Sequence, residues 1–251
     1  MLRICDFPKR LMGTFLLLII ITGCSSLGQV QTQAVKPLKI RELPSGNGWW
    51  HASFRMHWSA DTKPVWYMDL YLAHQVILPQ LMQYDNEIYL WRFHRRAARD
   101  DAGRMFSFIF YASPQTAENV LNGIKFDPSV DKLKLAGVID HAGFDDPARI
   151  TRPNIEDTSD KNWPASIQKT WPYYIMGASQ MWLNLIADIA AENLTDNPPT
   201  SIAEIETFYH QVNETLTKLW QKEGRHAFMH HLNALFEYEP LIYWEKRYLT
   251  F

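Results

Sequence analysis

Two hydrophobic rhythms divide this sequence, and they lie on either side of a polar stretch at residues 140–163 that is rich in Asp, Asn and Pro. Before it, Trp50, Ala52, Phe54, Met56 and Trp58 alternate with His51, Ser53, Arg55 and His57. That period of two places one face of a strand in a core and leaves the other polar. After it, Trp171, Ile175, Ala178, Trp182, Leu185 and Ile189 recur at helical spacing as one long apolar stripe. A chain patterned in this way folds as a sheet region followed by helices.

The elements follow in order. Residues 49–58 read as a strand, and the turn signal at 61–64 is followed by a predicted strand at 65–72 and a helix at 73–84. Pro79 removes one hydrogen bond from that helix. Residues 87–95 and 104–112 read as paired strands, Ser113-Pro114 caps and opens a helix to about Gly123, and 134–139 reads as another strand. From Val65 the order is strand, helix, strand, strand, helix, strand, the split βαβ pattern of ferredoxin-like domains. Residues 49–58 would add an edge strand to that sheet. The expected class is therefore α+β, with a sheet region over 49–162 and a three-helix region over 163–251 packed on it. Within the latter, Pro198-Pro199 ends the first helix and the capping box Ser201-Ile202-Ala203-Glu204 opens the second. Its stripe is Ile205, Phe208, Val212, Leu216 and Leu219. Gly224 is expected to break the pattern before a third helix over 225–237, and 241–251 closes the chain as an aromatic strand or tail.

The first residues read as an address. Arg3, Lys9 and Arg10 precede an apolar run from Leu11, which ends in the small residues Thr22 and Gly23 before Cys24. This order of basic, apolar and small segments is that of a secretory signal, too short for a membrane span. Ile21-Thr22-Gly23-Cys24 resembles the lipobox of bacterial lipoproteins, which implies removal of residues 1–23 and lipidation of Cys24 as the first mature residue. Ser25 stands where inner-membrane retention usually takes Asp, so the expected place is the outer membrane, facing the periplasm. Residues 24–48 mix Ser, Gln, Gly and Pro without periodicity and read as a flexible tether.

This leader narrows what the rest can be. Cys5 lies within it, so the mature chain would contain no disulfide and would rely on packing. The formal net charge of −2 becomes slightly more negative without the leader, which argues against a nucleic-acid binder. Aromatic residues make up 14% of the chain, with ten Trp, a loading that fills cores and also anchors protein or glycan partners. The sequence has no Walker loop, dinucleotide glycine fingerprint, nucleophile-elbow serine, zincin helix or zinc-type cysteine pair.

Three groups of residues are candidates for function. Arg92, Arg95, Arg96, Arg99 and Arg104 crowd a predicted hairpin, and guanidinium forks bind carboxylates or phosphates with two parallel hydrogen bonds. With His51, Arg55 and His57 on the polar side of the preceding strand, they form the expected partner-binding surface. His141 and Asp145 follow a predicted strand, where a carboxylate can fix a histidine as a general base. Glu223, His226 and His230 have helical spacing suited to zinc or iron. Each has an ordinary alternative: a solvated hairpin tip, a hydrophilic turn and a histidine-rich surface. The leading expectation is a partner-binding lipoprotein of envelope assembly or maintenance, without cofactor. A periplasmic metal-assisted hydrolase or a lyase is the alternative.

Val65-Trp66-Tyr67-Met68-Asp69-Leu70-Tyr71, Trp91-Arg92-Phe93, the turn Asp100-Asp101-Ala102-Gly103-Arg104 and the helices after them resemble, in order and texture, the C-terminal domain of lanthipeptide dehydratases and their stand-alone thiopeptide relatives. The resemblance spans most of 65–239 and implies an α+β sheet followed by helices. The histidine-leucine-arginine strand of that family is here only Arg104-Met105-Phe106, and its arginine-tyrosine-glycine motif has no match near Pro172-Tyr173-Tyr174. No catalytic residue therefore carries over.

Overall fold

The computed structural model describes residues 43–194 and 198–240. The leader, Cys24, most of the tether and the tail at 241–251 lie outside the described residues. Every described strand and helix belongs to the unit that begins at Leu43. Leu43 packs against a small apolar cluster, and Asn47 and Gly48 are buried.

Four strands, β1 (Gly48–Met56), β2 (Leu90–Ala97), β3 (Arg104–Ala112) and β4 (Ile139–Phe144), form one antiparallel sheet in the order β2-β3-β1-β4. Between β1 and β2 lie the helices α1 (Tyr67–Tyr71) and α2 (Leu78–Gln83), joined by a π-helical segment, Leu72–Ile77. Between β3 and β4 lie α3 (Pro114–Lys125) and α4 (Pro128–Leu135). The α+β class and the split βαβ order hold, with one exchange of parts. The stretch at 49–58, expected at an edge, supplies the first strand of the pattern and runs through the middle of the sheet. The stretch at 65–72 is helical from Tyr67 instead. Its apolar residues misled because Met68, Leu70, Tyr71 and Leu72 are buried around most of the helix circumference, between the sheet and a later helix, so the period of a surface helix is missing. Likewise 134–139 is not a strand throughout: α4 ends at Leu135, Gly137 turns the chain at φ +69°, and β4 starts at Ile139.

Caps behave as their chemistry dictates. The Ser113 hydroxyl accepts from the Thr116 amide at 3.1 Å, and Asp127 does the same for Ser129 at 2.7 Å. Pro79 falls in the first turn of α2, just after the π segment, so the bond that it cannot donate falls where the helix has already changed register.

The helical region has two long members. α5 (Ala165–Asn193) lies along edge strand β2, and α6 (Ile202–Gly224) packs on α1 and α5. Gly224 does not break α6. The helix continues through a π segment, Arg225–His230, into α7 (His231–Ala234), with the Trp220 ring lying close over Gly224 and stacked on Phe228. Leu183, Ile186, Ile205 and Val212 belong to the same buried cluster as Trp50, Phe54, Phe106 and Phe108, so sheet and helices share one core.

An exposed strand edge offers unpaired amides to other chains. Here the Phe93 amide donates to the buried Ser179 hydroxyl of α5 at 3.1 Å, and the Trp182 ring meets Phe93 edge-on at 5.2 Å. Ser179→Ala should therefore cost about 1–2 kcal/mol, the penalty for a buried amide without an acceptor. Hydrogen exchange at Phe93 should speed by roughly ten-fold in that variant; an unchanged rate would mean that another acceptor takes over.

Candidate functional site

The sheet has two unlike faces. Toward the helices point Trp50, Ala52, Phe54 and Met56 from β1 and Phe106, Phe108 and Phe110 from β3, all buried. The opposite face is fixed by the registers. Arg92, Ile109 and His51 form one row across β2, β3 and β1. His94, Ser107, Ser53 and Gly143 form the next, extended into β4, and Arg96, Met105, Arg55 and His141 form the third.

One end of this face is closed by the segment after β4. The Trp49 amide donates to the Arg152 carbonyl at 2.9 Å, its indole N–H to the carbonyls of Asn154 and Ile155 at 3.0 and 3.1 Å, and the Tyr111 hydroxyl to that of Pro153 at 2.8 Å. Gly48 permits this approach, since a Cβ there would lie 2.6 Å from Ile150. Trp49, Leu90, Ile109 and Tyr111 form a small second core beneath the strap, joined by Ile155, Tyr173 and Met176.

The rest of the face is a shallow trough. Inward of His94 at the β2 edge, its middle row carries short side chains, Ser107, Ser53 and Gly143, and a Cβ on Gly143 would crowd the Ser53 hydroxyl at 3.0 Å. The rows of Arg92 and Arg96 stand four residues apart along β2, about 13 Å at the rise of a strand. Guanidinium groups therefore stand on both sides of a floor of small polar residues.

Charge on this face is unbalanced. Arg96 pairs with Asp100, and Arg152 with Asp145, whose carboxylate also accepts from the His51 amide at 2.9 Å. Arg92 lies over the Trp171 ring at 4.9 Å and reaches the Thr158 carbonyl at 3.5 Å, and its Nε is buried without a partner. Neither Arg92 nor the exposed Arg55 has a carboxylate partner among the described residues. The imidazoles report the resulting field. Burial, with Arg152, Arg92 and His94 nearby, holds His51 down at about 3, so its ring stays neutral and accepts from Arg152 Nη1. His94 is also lowered, by burial and then by Arg92 and Arg96. Burial takes Arg92 down to about 10, which leaves it charged at neutral pH.

Of the expected partner surface, this face gathers His51, Arg55, Arg92 and Arg96. The other four lie elsewhere. Arg95 and Arg104 point to the helix side, where both bind Asp69, at 2.8 and 2.6 Å, and face the Trp66 ring. Arg104 is 1% exposed and holds α1 to the hairpin, so it is no contact for a partner. Arg99 covers Trp58 and donates to the carbonyls of Ser59 and Thr62, and His57 pairs with Asp140 at 3.0 Å beside a bulge. Alternation along β2 turns Arg95 away from Arg92 and Arg96, and alternation along β3 turns Arg104 away from Met105, whereas Arg99 and His57 lie past the ends of β2 and β1. The same rule identifies His94, between Arg92 and Arg96, as a residue of the site that the sequence pattern alone did not single out. Arg152 arrives from the strap and has no such signal.

Asp145 is taken by Arg152 and the His51 amide, so it does not orient His141, which stands on the outer face beside Arg55. Glu223 pairs with Lys222 at 3.0 Å, and the rings of His226 and His230 stack 5.2 Å apart at 13°. Among the described residues no group of three or more His, Cys, Asp or Glu side chains is placed to hold a metal ion, and no helix is long and apolar enough to cross a membrane.

No protein-family model, curated protein or solved structure matches the chain.

Proposed function

We propose that this chain is a lipid-anchored outer-membrane protein whose folded domain binds an anionic partner, protein or glycan, in the trough of its sheet during envelope assembly or maintenance. The observation that carries the reading is the pair Arg92 and Arg55, without a carboxylate partner among the described residues, on either side of the Ser53–Ser107 floor. Arginine forks suit carboxylates and phosphates, and a trough with charge on both sides aligns an extended acidic segment more readily than a compact molecule. The leader and its lipobox support the anchor and the compartment.

Photocrosslinking in intact cells tests this. The full-length chain carries p-benzoylphenylalanine in place of the exposed His141, and adducts are identified by mass spectrometry. A discrete adduct is expected. It should fall at least ten-fold when Arg55→Ala is combined with Arg92→Gln, which keeps a polar stem against Trp171, and it should weaken with rising salt. Cys24→Ala should release the chain from the membrane fraction. Capture that ignores both arginine changes would remove the trough from the reading; a chain that stays on the membrane without Cys24 would remove the lipid.

A further inference from the structure

On the far side of the domain from the trough, a cavity of about 420 Å³ lies between the π segment Leu72–Ile77, α5 and α6. That volume falls within the usual range of small-molecule sites. Its walls are apolar. Ala187, Ala190 and Ala191 of α5 keep one side low, and Leu194, Pro199 and Phe208 form the other.

The floor is polar and arranged. The Tyr209 hydroxyl, in a residue only 2% exposed, lies 2.9 Å from His74 Nδ1 and 3.0 Å from the Gln75 amide nitrogen, which is itself 3.1 Å from the same Nδ1. With the Gln75 amide donating to the Tyr209 oxygen and Tyr209 donating to the single lone pair of Nδ1, the three groups form a directed chain. The His74 proton then sits on Nε2, a donor without a partner among the described residues. His74 and Gln75 are both part of the π segment, and such segments recur at functional sites. Burial lowers the His74 pKa and raises that of Tyr209, so both remain neutral near pH 7. Among the described residues no Asp, Glu, Lys or Arg lines the cavity.

We infer that this cavity is a ligand site for an uncharged molecule with an apolar ring or chain and one oxygen acceptor, held against the alanine wall with its oxygen on His74 Nε2–H. A charged ligand would lose its hydration without an opposite charge to replace it. A wholly apolar one would leave the imidazole N–H buried and unsatisfied. This site is separate from the trough and does not depend on its role.

Three molecules of one shape separate the possibilities: 2-acetylnaphthalene, 2-ethylnaphthalene and 2-naphthoate. The full-length chain in lipid nanodiscs is dialysed to equilibrium against each, with empty nanodiscs subtracted. The ketone is expected to bind saturably and at least ten-fold more tightly than the hydrocarbon or the carboxylate. His74→Phe should bring the ketone to the level of the hydrocarbon. Ala191→Phe, at an exposed position on the cavity wall, should weaken both neutral probes ten-fold while the fold persists, which keeps the test decisive should His74→Phe not fold. Equal affinity for ketone and hydrocarbon, tighter binding of the carboxylate, no saturable binding of the ketone, or indifference to Ala191→Phe would each overturn the assignment.

Discussion

Asp69→Asn is expected to destabilise the domain by about 3–5 kcal/mol, the usual cost of removing one partner from a buried ion pair. The Asp69 side chain is fully buried and serves two arginines, with Arg95 Nε 2.8 Å from Oδ2 and Arg104 Nη2 2.6 Å from Oδ1. Arg104 is buried too, and its Nε already has no partner. The Trp66 ring stands 4.9 Å from both guanidinium centres and the Trp66 carbonyl accepts from Arg95, but neither replaces a formal negative charge. Urea denaturation measures the loss. The triple variant Asp69→Leu, Arg95→Met, Arg104→Met should recover most of it, because what costs is the uncompensated charge rather than the absence of the network. A single-variant loss below about 1 kcal/mol would show that the arginines are satisfied without Asp69.

Acid should unfold the protein partly through His51. Its folded pKa of about 3 lies below the ordinary 6.5, so below pH 6.5 the unfolded chain binds a proton that the folded ring refuses. The stability contributed by the neutral ring is complete above pH 6.5 and is lost as pH falls from there toward 3. Each pH unit in that window is worth at most about 1.4 kcal/mol, giving a loss on the order of 3 kcal/mol between pH 6.5 and pH 4. His74 and His94 are displaced in the same direction, so the difference between the protein and His51→Gln isolates the one ring. Denaturation midpoints that run parallel in the two proteins over pH 4–6.5 would refute the assignment. An anion in the trough counteracts the repulsion from Arg92 and Arg152, and should raise the lower edge of the window and so reduce the loss.

How much of the fold could be read from the sequence depended on whether the signal was local. The alternation from Trp50 to Met56 identified a strand because each residue's side of the sheet follows from its parity. That this strand lies at the centre depended on its pairing with Phe106 and Ala142, far along the chain, and nothing local reports it. Ser113, Ser201 and Glu204 were legible as caps for the opposite reason: their partners lie within four residues. Glu204, held at about 2 by the amides of Ser201 and Thr200, shows how firmly such a local device is set. Residues 65–72 were misread because burial on nearly all sides erases periodicity. The arginine cluster was legible as a concentration of charge but not as two populations, since only Asp69, itself hidden in the misread helix, distinguishes the structural arginines from those of the open face.

The central position of β1 also determines how the domain meets mechanical load. Tension from the N-terminal side enters the described fold a few residues before Gly48 and runs directly into a strand bonded on both flanks, to β3 and to β4. Drawing that strand out along its length would shear two ladders together, whereas a terminal strand at the rim would unzip one bond at a time. The strap adds a brace at the entry point, because Trp49 is held through both its amide and its indole. Under the proposed lipid anchor, the domain would be gripped by its most deeply embedded strand, and its surroundings could tug on it without peeling the sheet apart.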